Sequence, residues 1–131
     1  MMPVSKEVAL EEFDRLARAA DVNIDSDTMS EEEAAELEEI REVLTSAIVA
    51  GDIAVDEDGA AILHTHSGEI KFRVPLGEDL MIMATARDDK RMEAMNRFVC
   101  SITGKDTRTI GKLKKKEWKL AMRLAGFLSA D

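Results

Sequence analysis

The first 50 residues carry apolar positions at helical spacing, interrupted once by a polar link. Apolar residues recur every three or four positions over residues 6–20, which predicts a first amphipathic helix. A second helix is predicted to begin at Ser30, whose S-x-x-E sequence forms a capping box, and to end at Gly51. Residues 1–50 are therefore expected to form an acidic helical arm of two helices joined by a link over residues 21–29.

After Gly51 the apolar period changes from helical to alternating, which is the pattern of strands. Turn-forming residues at 56–59 and at 67–68 separate three short alternating runs, and Pro75 ends the third run. Each connection is short enough for a hairpin, so the pattern predicts a three-stranded antiparallel meander.

Helical spacing returns after the sheet. Helices are predicted over residues 78–86, 88–104 and 114–130, each with apolar residues along one face. The predicted fold class is α+β, with a helical N-terminal arm, a small three-stranded antiparallel meander and a C-terminal group of three helices. Residues 51–131 hold the meander and the three-helix body, and we expect the arm and the body to form one compact domain.

The length of 131 residues and the apolar content of 45% suit one small domain with a modest core. No uninterrupted apolar run approaches the roughly 18 residues of a membrane span, and residues 1–20 interleave charged with apolar positions, unlike a signal peptide. We therefore expect a cytoplasmic protein without a membrane partner. Cys100 is the only cysteine, which excludes an internal disulfide and predicts a small buried hydrophobic residue.

Charge is distributed asymmetrically along the chain. Residues 1–60 hold 18 acidic and 4 basic residues, a net of −14, whereas residues 61–131 hold 9 acidic and 14 basic residues, a net of +5. The total of −9 argues against a nucleic-acid partner. The basic run over residues 112–119 is therefore expected to be a solvated helix start with Trp118 turned toward the core, and not a phosphate-binding patch.

The sequence DVNIDSDTMSEE, residues 21–32, matches part of the loop of an EF-hand calcium site. Four residues fall at its oxygen-ligand positions: Asp21, Asn23, Asp25 and Glu32. A serine, however, stands where the sharp turn of that loop requires glycine, and the capping box already explains an acidic segment between two helices. We expect an acidic link, with a calcium-regulated binding module as an alternative.

His64 and His66 lie two positions apart, which places both imidazoles on one face of a predicted strand. That spacing occurs in metal sites, but no third ligand is visible, so ordinary strand-edge histidines are expected. The acidic run over residues 56–59 is explained by the needs of a hairpin turn. We predict no metal and no other cofactor, and an enzyme is the least expected class, because no polar groups converge in the pattern.

Methionine is frequent, with eight in the chain and four of them, Met81, Met83, Met92 and Met95, within fifteen positions. Methionine commonly fills cores, but its flexible and polarisable side chain also suits surfaces that bind apolar partners. From the sequence, both roles are open for this cluster.

Three short motifs follow one another in the C-terminal half. A strand leads into a helix through F-R-x-P-x-x-x-D-L, the next long helix ends in I-T-G, and the last helix ends in F-L. The motif residues are Phe72, Arg73, Pro75, Asp79, Leu80, Ile102, Thr103, Gly104, Phe127 and Leu128. In this order the motifs resemble those of the tail assembly chaperones of tailed bacteriophages, the family of the Mu-like and P2-like small tail proteins. The resemblance covers residues 60–131.

The resemblance implies a non-enzymatic protein of the bacterial host cytoplasm. Such a protein binds the tape-measure protein, keeps it soluble and assists the assembly of tail-tube subunits around it. A long apolar helical client needs adaptable apolar cover. The residues expected to supply that cover are Met81, Met83, Met92, Met95, Trp118 and Met122. A structural or adaptor protein of the phage particle is the main alternative.

Overall fold

A computed structural model describes residues 3–130, in which the predicted elements follow in the expected order. The helices are α1 (Lys6–Ala19), α2 (Glu31–Ala50), α3 (Gly77–Ala84), α4 (Arg91–Thr103), α5 (Thr107–Gly111) and α6 (Lys115–Leu128), and the strands are β1 (Ile53–Val55), β2 (Ala61–Thr65) and β3 (Gly68–Phe72). β2 lies between β1 and β3, and both pairings are antiparallel. The prediction of an α+β fold, with a helical arm, a three-stranded meander and a C-terminal helical group, is confirmed.

Local capping determines where the two arm helices begin and end. Ser5 Oγ accepts a hydrogen bond from Val8 N at 3.2 Å at the start of α1. At the start of α2, Ser30 Oγ accepts from Glu33 N at 3.2 Å, and Glu33 Oε1 accepts from Ser30 N at 3.3 Å. Gly51 ends α2 in the left-handed conformation, with φ of 84°. Both predicted helices of the arm are confirmed.

The turn between β1 and β2 is held by one carboxylate and one glycine. Asp56 Oδ1 accepts hydrogen bonds from Asp58 N and Ala60 N, both at 2.9 Å. Gly59 has φ of 84° and lies against α1, so that a Cβ at this position would stand 2.4 Å from Ala19 Cβ. The Asp56 carboxylate therefore stabilises the backbone of the turn, and the turn packs directly on α1 of the arm.

β3 ends two residues earlier than the alternation predicts. Val74 continues the apolar period, but the strand pairing stops at Phe72. Arg73 N donates to Ile102 O at 3.1 Å, which ties the chain to the end of α4. The strand is therefore shortened by a hydrogen bond to a helix that lies far away in the sequence.

Between residues 3 and 130 the structure contains one α-helix that the sequence pattern does not predict. Asp106 Oδ1 accepts from Thr109 N at 2.8 Å and starts α5 within the segment between α4 and α6. Ile110 is the buried residue of this short helix. Five residues are too few to display a helical period, so the segment has the pattern of a connection. The C-terminal group consequently has four helices instead of three.

The arm and the body share one hydrophobic core. Phe13 of α1 packs against Phe127 of α6 with their ring centroids 5.0 Å apart, and the Arg41 guanidinium of α2 lies 5.5 Å from the centroid of the Phe13 ring. Leu44 of α2 and Phe98 of α4 are fully buried in the same cluster. Since α4 and α6 also contact each other, their outer faces lie side by side.

Candidate partner-binding site

A groove of about 540 Å³ runs between the outer faces of α4 and α6, and Met83 of α3 also lines it. Five of the six residues that were expected to contact a partner line this groove: Met83, Met92, Met95, Trp118 and Met122. We refer to it as the methionine groove. Residues from three separate helices are thus brought together as one apolar surface.

Helical spacing explains how α4 and α6 present these side chains. Met92 and Met95 are three positions apart on α4, and Trp118 and Met122 are four positions apart on α6, so each pair lies on one helix face. Met92 is 61% exposed. Met95, Trp118 and Met122 are half-buried and pack against the core from outside. Trp118 therefore borders the core, as expected, but also lines the groove.

Met81 lies outside the methionine groove. It is 61% exposed on α3, where Leu76 and Leu80 are exposed as well. The four consecutive apolar residues of α3, residues 80–83, cannot all face the core, because successive positions on a helix point in directions about 100° apart. This run was the sequence signal for an exposed apolar helix beside the groove, and it indicates a wider apolar surface than the six predicted residues.

Three basic residues, Arg91, Lys119 and Arg123, also line the methionine groove. Each of them adjoins a groove residue in the sequence, in the pairs Arg91-Met92, Trp118-Lys119 and Met122-Arg123. The sequence interpretation placed the lysine run in solvent and missed this role. The signal in the sequence was that a basic residue stands next to a large apolar residue three times. In the folded chain these basic residues form a cationic rim around the apolar floor of the groove.

A second groove, of about 430 Å³, lies between α1 and α2. Its charged lining mixes Lys6 and Arg41 with Glu38 and Glu42, and it contains neither methionine nor an aromatic residue. Thr45 Oγ1 is buried there without a hydrogen-bond partner among the described residues. The methionine groove is the better candidate for binding a protein, because large flexible apolar side chains dominate its floor.

The family-motif residues Arg73 and Asp79 form an ion pair in which the Asp79 carboxylate is buried and the Arg73 side chain is partly exposed. Arg73 Nη1 donates to Asp79 Oδ2 at 2.6 Å, and Arg73 Nη2 donates to Asp79 Oδ1 at 2.8 Å, which is a bidentate contact. The Asp79 carboxylate is fully buried and also accepts hydrogen bonds from the Ser101 hydroxyl and from Leu76 N. Both residues belong to the sequence motif, but the motif did not predict that they pair.

This ion pair joins two of the three helices that line the methionine groove. Arg73 follows β3, Asp79 lies in the first turn of α3, and Arg73 Nη2 also donates to Ser101 O of α4 at 3.1 Å. The pair therefore joins the end of the sheet to α3, which carries Met83, and to α4, which carries Met92 and Met95. Burial raises the pKa of Asp79, but hydrogen bonds from Arg73, Ser101 and the Leu76 amide outweigh it and lower that pKa to about 2.

Acidification is expected to remove about 2 kcal/mol of stability through Asp79 alone. The folded pKa of about 2 lies below the unfolded value, so the contribution is complete above about pH 4 and is lost as the pH falls toward 2. Urea unfolding of the wild type and of Asp79→Asn at several pH values measures this, because the stability difference between them should shrink as the carboxylate is protonated. A difference that stays constant from pH 5 to about pH 2 would contradict the assignment.

The other motif residues build the fold. Phe72, Phe127 and Leu128 are buried in the core, and Gly104 ends α4 in the left-handed conformation with φ of 68°. Thr103 Oγ1 donates to Val99 O at 2.7 Å within the same helix. Pro75 is half-buried at the exit from the sheet, and Leu80 is exposed on α3.

Function must be inferred from these contacts. No family model, curated protein or solved structure matches this chain. The resemblance to tail assembly chaperones therefore stays a prediction. Within residues 3–130, none of the helices combines the length and the apolar character needed to cross a membrane.

Two of the four candidate calcium ligands accept hydrogen bonds from the backbone of the interhelical link, and the other two are exposed. Asn23 Oδ1 accepts from Asp25 N at 2.9 Å, and Asp25 Oδ1 accepts from Asp27 N at 3.0 Å. Asp21 turns the chain in the left-handed region with φ of 55°, and Glu32 is exposed in the first turn of α2. Across residues 3–130, no three acidic, histidine or cysteine side chains are placed to share a metal ion. The geometry of this segment is that of a capped link.

The two histidines are directed to different carboxylates. His66 Nδ1 lies 2.8 Å from Glu117 Oε1, and His66 N donates to Glu117 Oε2 at 2.6 Å. His64 Nδ1 lies 3.6 Å from Glu69 Oε1 on the neighbouring strand. His64 therefore pairs across the sheet with β3, whereas His66 follows the end of β2 and connects the β2–β3 turn to α6. The prediction that both imidazoles lie on one strand is wrong, and the two rings do not share a ligand. Cys100 is half-buried against the core, less deeply than expected.

Proposed function

We propose that this protein is a tail assembly chaperone of a tailed bacteriophage. It binds an apolar helical segment of the tape-measure protein in the cytoplasm of the bacterial host, keeps that protein soluble while tail-tube subunits assemble around it, and catalyses no reaction. The observation that carries the proposal is the methionine groove, in which Met92 and Met95 of α4 face Trp118 and Met122 of α6.

The groove has the properties that a helical apolar client requires. A client helix presents apolar anchors at positions i, i+3, i+4 and i+7, and such anchors fit a long apolar groove. Methionine side chains adapt to anchors of different shape, so one groove can accept several segments of a long client. The net charge of −9 supports the solubility of a complex that carries an apolar partner.

The phage-tail assignment itself depends on the ordered motifs of residues 60–131. Two of the motif residues, Arg73 and Asp79, form the ion pair that positions α3 and α4. The same residues that suggest the family thus support the proposed binding surface. This link between motif and groove favours a binding protein in which the motif residues maintain the fold of the binding surface and do not contact the client themselves.

Substitution of two groove methionines by glutamate is expected to weaken client binding at least about tenfold, because it places charge on an apolar contact surface. The variant Met92→Glu/Met95→Glu and the wild type are each co-expressed, tagged, with the proposed client, a tape-measure protein, and the recovered complex is quantified by pull-down. Val8→Glu/Leu10→Glu, on two exposed apolar residues of α1, is the matched control and should bind the client as the wild type does. Thermal unfolding checks that all variants are folded.

Three outcomes would contradict the proposal in different ways. Full client binding by the double variant would exclude the methionine groove. Recovery of this chain from purified phage particles would indicate a structural or adaptor protein, since an assembly chaperone should be absent from them. A complex that forms in calcium but not in chelator would restore the calcium-regulated module as the explanation.

A further inference from the structure

We infer that the methionine groove selects an acidic amphipathic helix, in which carboxylates flank the apolar stripe. This inference rests on the proposed function in one respect, that the groove is where the client binds. It adds the chemistry of the client and names Arg91, Lys119 and Arg123 as the residues that determine specificity. None of these residues was expected to contact the partner.

All the charged residues that line the methionine groove are basic. Arg91, Lys119 and Arg123 line the groove together with five large apolar residues, and no carboxylate lines it. Arg91 and Lys119 form no ion pair with any residue between 3 and 130, whereas Arg123 Nη1 lies 3.1 Å from Glu39 Oε1 of α2. Two of the three rim cations are thus available to a partner, and carboxylates beside the partner's apolar stripe would pair with them.

The cationic rim continues beyond the groove along α6. Lys119 and Arg123 also line a neighbouring groove of about 530 Å³, together with Lys115, Lys116 and the apolar Val43 and Leu120. Positions 115, 119 and 123 are spaced by four residues, so they form a single row on the helix. A helix lying in the methionine groove would have this row along one side for about two turns of α6. Lys115 and Lys119 of this row form no ion pair among residues 3–130, so acidic residues on that side of the partner would pair with them.

The overall charge of the protein predicts the opposite preference. With a net charge of −9, non-specific attraction favours a basic helix over an acidic one. At about 0.15 M salt the Debye length is about 8 Å, so the charges nearest the ligand dominate at the groove. A measured preference for an acidic helix would therefore report the rim and not the protein as a whole.

The test uses three synthetic peptides with the same leucine stripe at helical spacing, whose flanking positions are all glutamate, all glutamine or all lysine. None contains tryptophan, so the fluorescence of Trp118, the only tryptophan in the protein, reports binding at the groove itself. At about 0.15 M salt we expect the glutamate peptide to bind about tenfold more tightly than the lysine peptide, with the glutamine peptide between them, because exposed ion pairs each contribute modestly. Equal affinities, or tighter binding of the lysine peptide, would overturn the inference.

A charge reversal at the rim separates local from global electrostatics. Lys119→Glu should abolish the preference for the glutamate peptide, because it changes one of the available rim cations into an anion. Lys6→Glu gives the protein the same net charge as Lys119→Glu, but Lys6 lies on α1, outside the methionine groove. This variant should therefore keep the preference for the glutamate peptide. A loss of preference in both variants would assign the effect to net charge and overturn the role of the rim.

The peptide and client experiments fail independently. Capture of the tape-measure protein through the groove methionines, without any charge preference among the peptides, would remove the inference and keep the proposed function. The expected peptide order without capture of the tape-measure protein would support the inference and remove the proposed client. Failure of all three peptides to change Trp118 fluorescence would overturn recognition of a helix in the groove.

Discussion

Substitution of Arg73 by methionine is expected to lower the free energy of unfolding by about 3 kcal/mol. The change leaves the Asp79 carboxylate fully buried without the guanidinium that now makes two hydrogen bonds to it. An uncompensated buried charge is costly, whereas the stem of methionine retains much of the packing of the arginine side chain. Urea denaturation followed by circular dichroism at neutral pH measures the loss.

Lys71→Met is the matched control for this prediction. Lys71 lies two residues earlier, on β3, and its Nζ is 3.1 Å from Asp56 Oδ2 at the surface, where an ion pair contributes at most about 1 kcal/mol. The two variants remove one positive charge each, but only Arg73 compensates a buried carboxylate. A loss below about 1 kcal/mol for Arg73→Met would mean that solvent, and not Arg73, stabilises Asp79.

Substitution of Gly59 by alanine is expected to destabilise the protein by about 3 kcal/mol. Two costs add: a non-glycine residue is strained at φ of 84°, and the new Cβ would stand 2.4 Å from Ala19 Cβ of α1. Ala19 belongs to a helix, so neither backbone can yield without loss of packing. Thermal and urea unfolding of the variant measure the loss of stability. The packing of the β1–β2 turn against α1 should change at the same time.

Gly104→Ala separates the two costs. Gly104 has φ of 68°, but an added Cβ would meet no atom within 4 Å, so only the backbone cost of about 1 kcal/mol applies. The difference between the two variants therefore measures the close approach of the β1–β2 turn to α1. Equal losses for both variants would show that the arm moves aside at little cost and is weakly attached to the sheet.

Local sequence determines most element boundaries in this protein. Ser5 caps α1, Ser30 and Glu33 form the capping box of α2, and glycines in the left-handed conformation end α2 and α4. Each of these signals acts over a few residues, so it can be recognised without knowing the fold. The short helix α5 escapes this approach, because one turn capped by Asp106 displays no apolar period.

The candidate site is different, since its members are distant in the sequence. The pattern identified methionines on α3 and α4 and apolar residues on α6, but it did not decide between core filling, which is the commoner role, and partner binding. Only the packing of α4 against α6 placed Met92 and Met95 opposite Trp118 and Met122, and left Met81 outside. The cationic rim required the same knowledge, because Arg91 and Lys119 are 28 positions apart and meet only in the folded chain.

The sequence by itself therefore determined the helices of the arm, the meander and the alternation of apolar and polar faces, because hydrogen bonds and side-chain periods within a few residues decide them. The tertiary structure alone decided that Arg73 pairs with Asp79, that β3 stops where Arg73 N reaches α4, and that the methionines form a groove with a basic rim. These features arise from contacts between segments that only the burial of the shared core brings together.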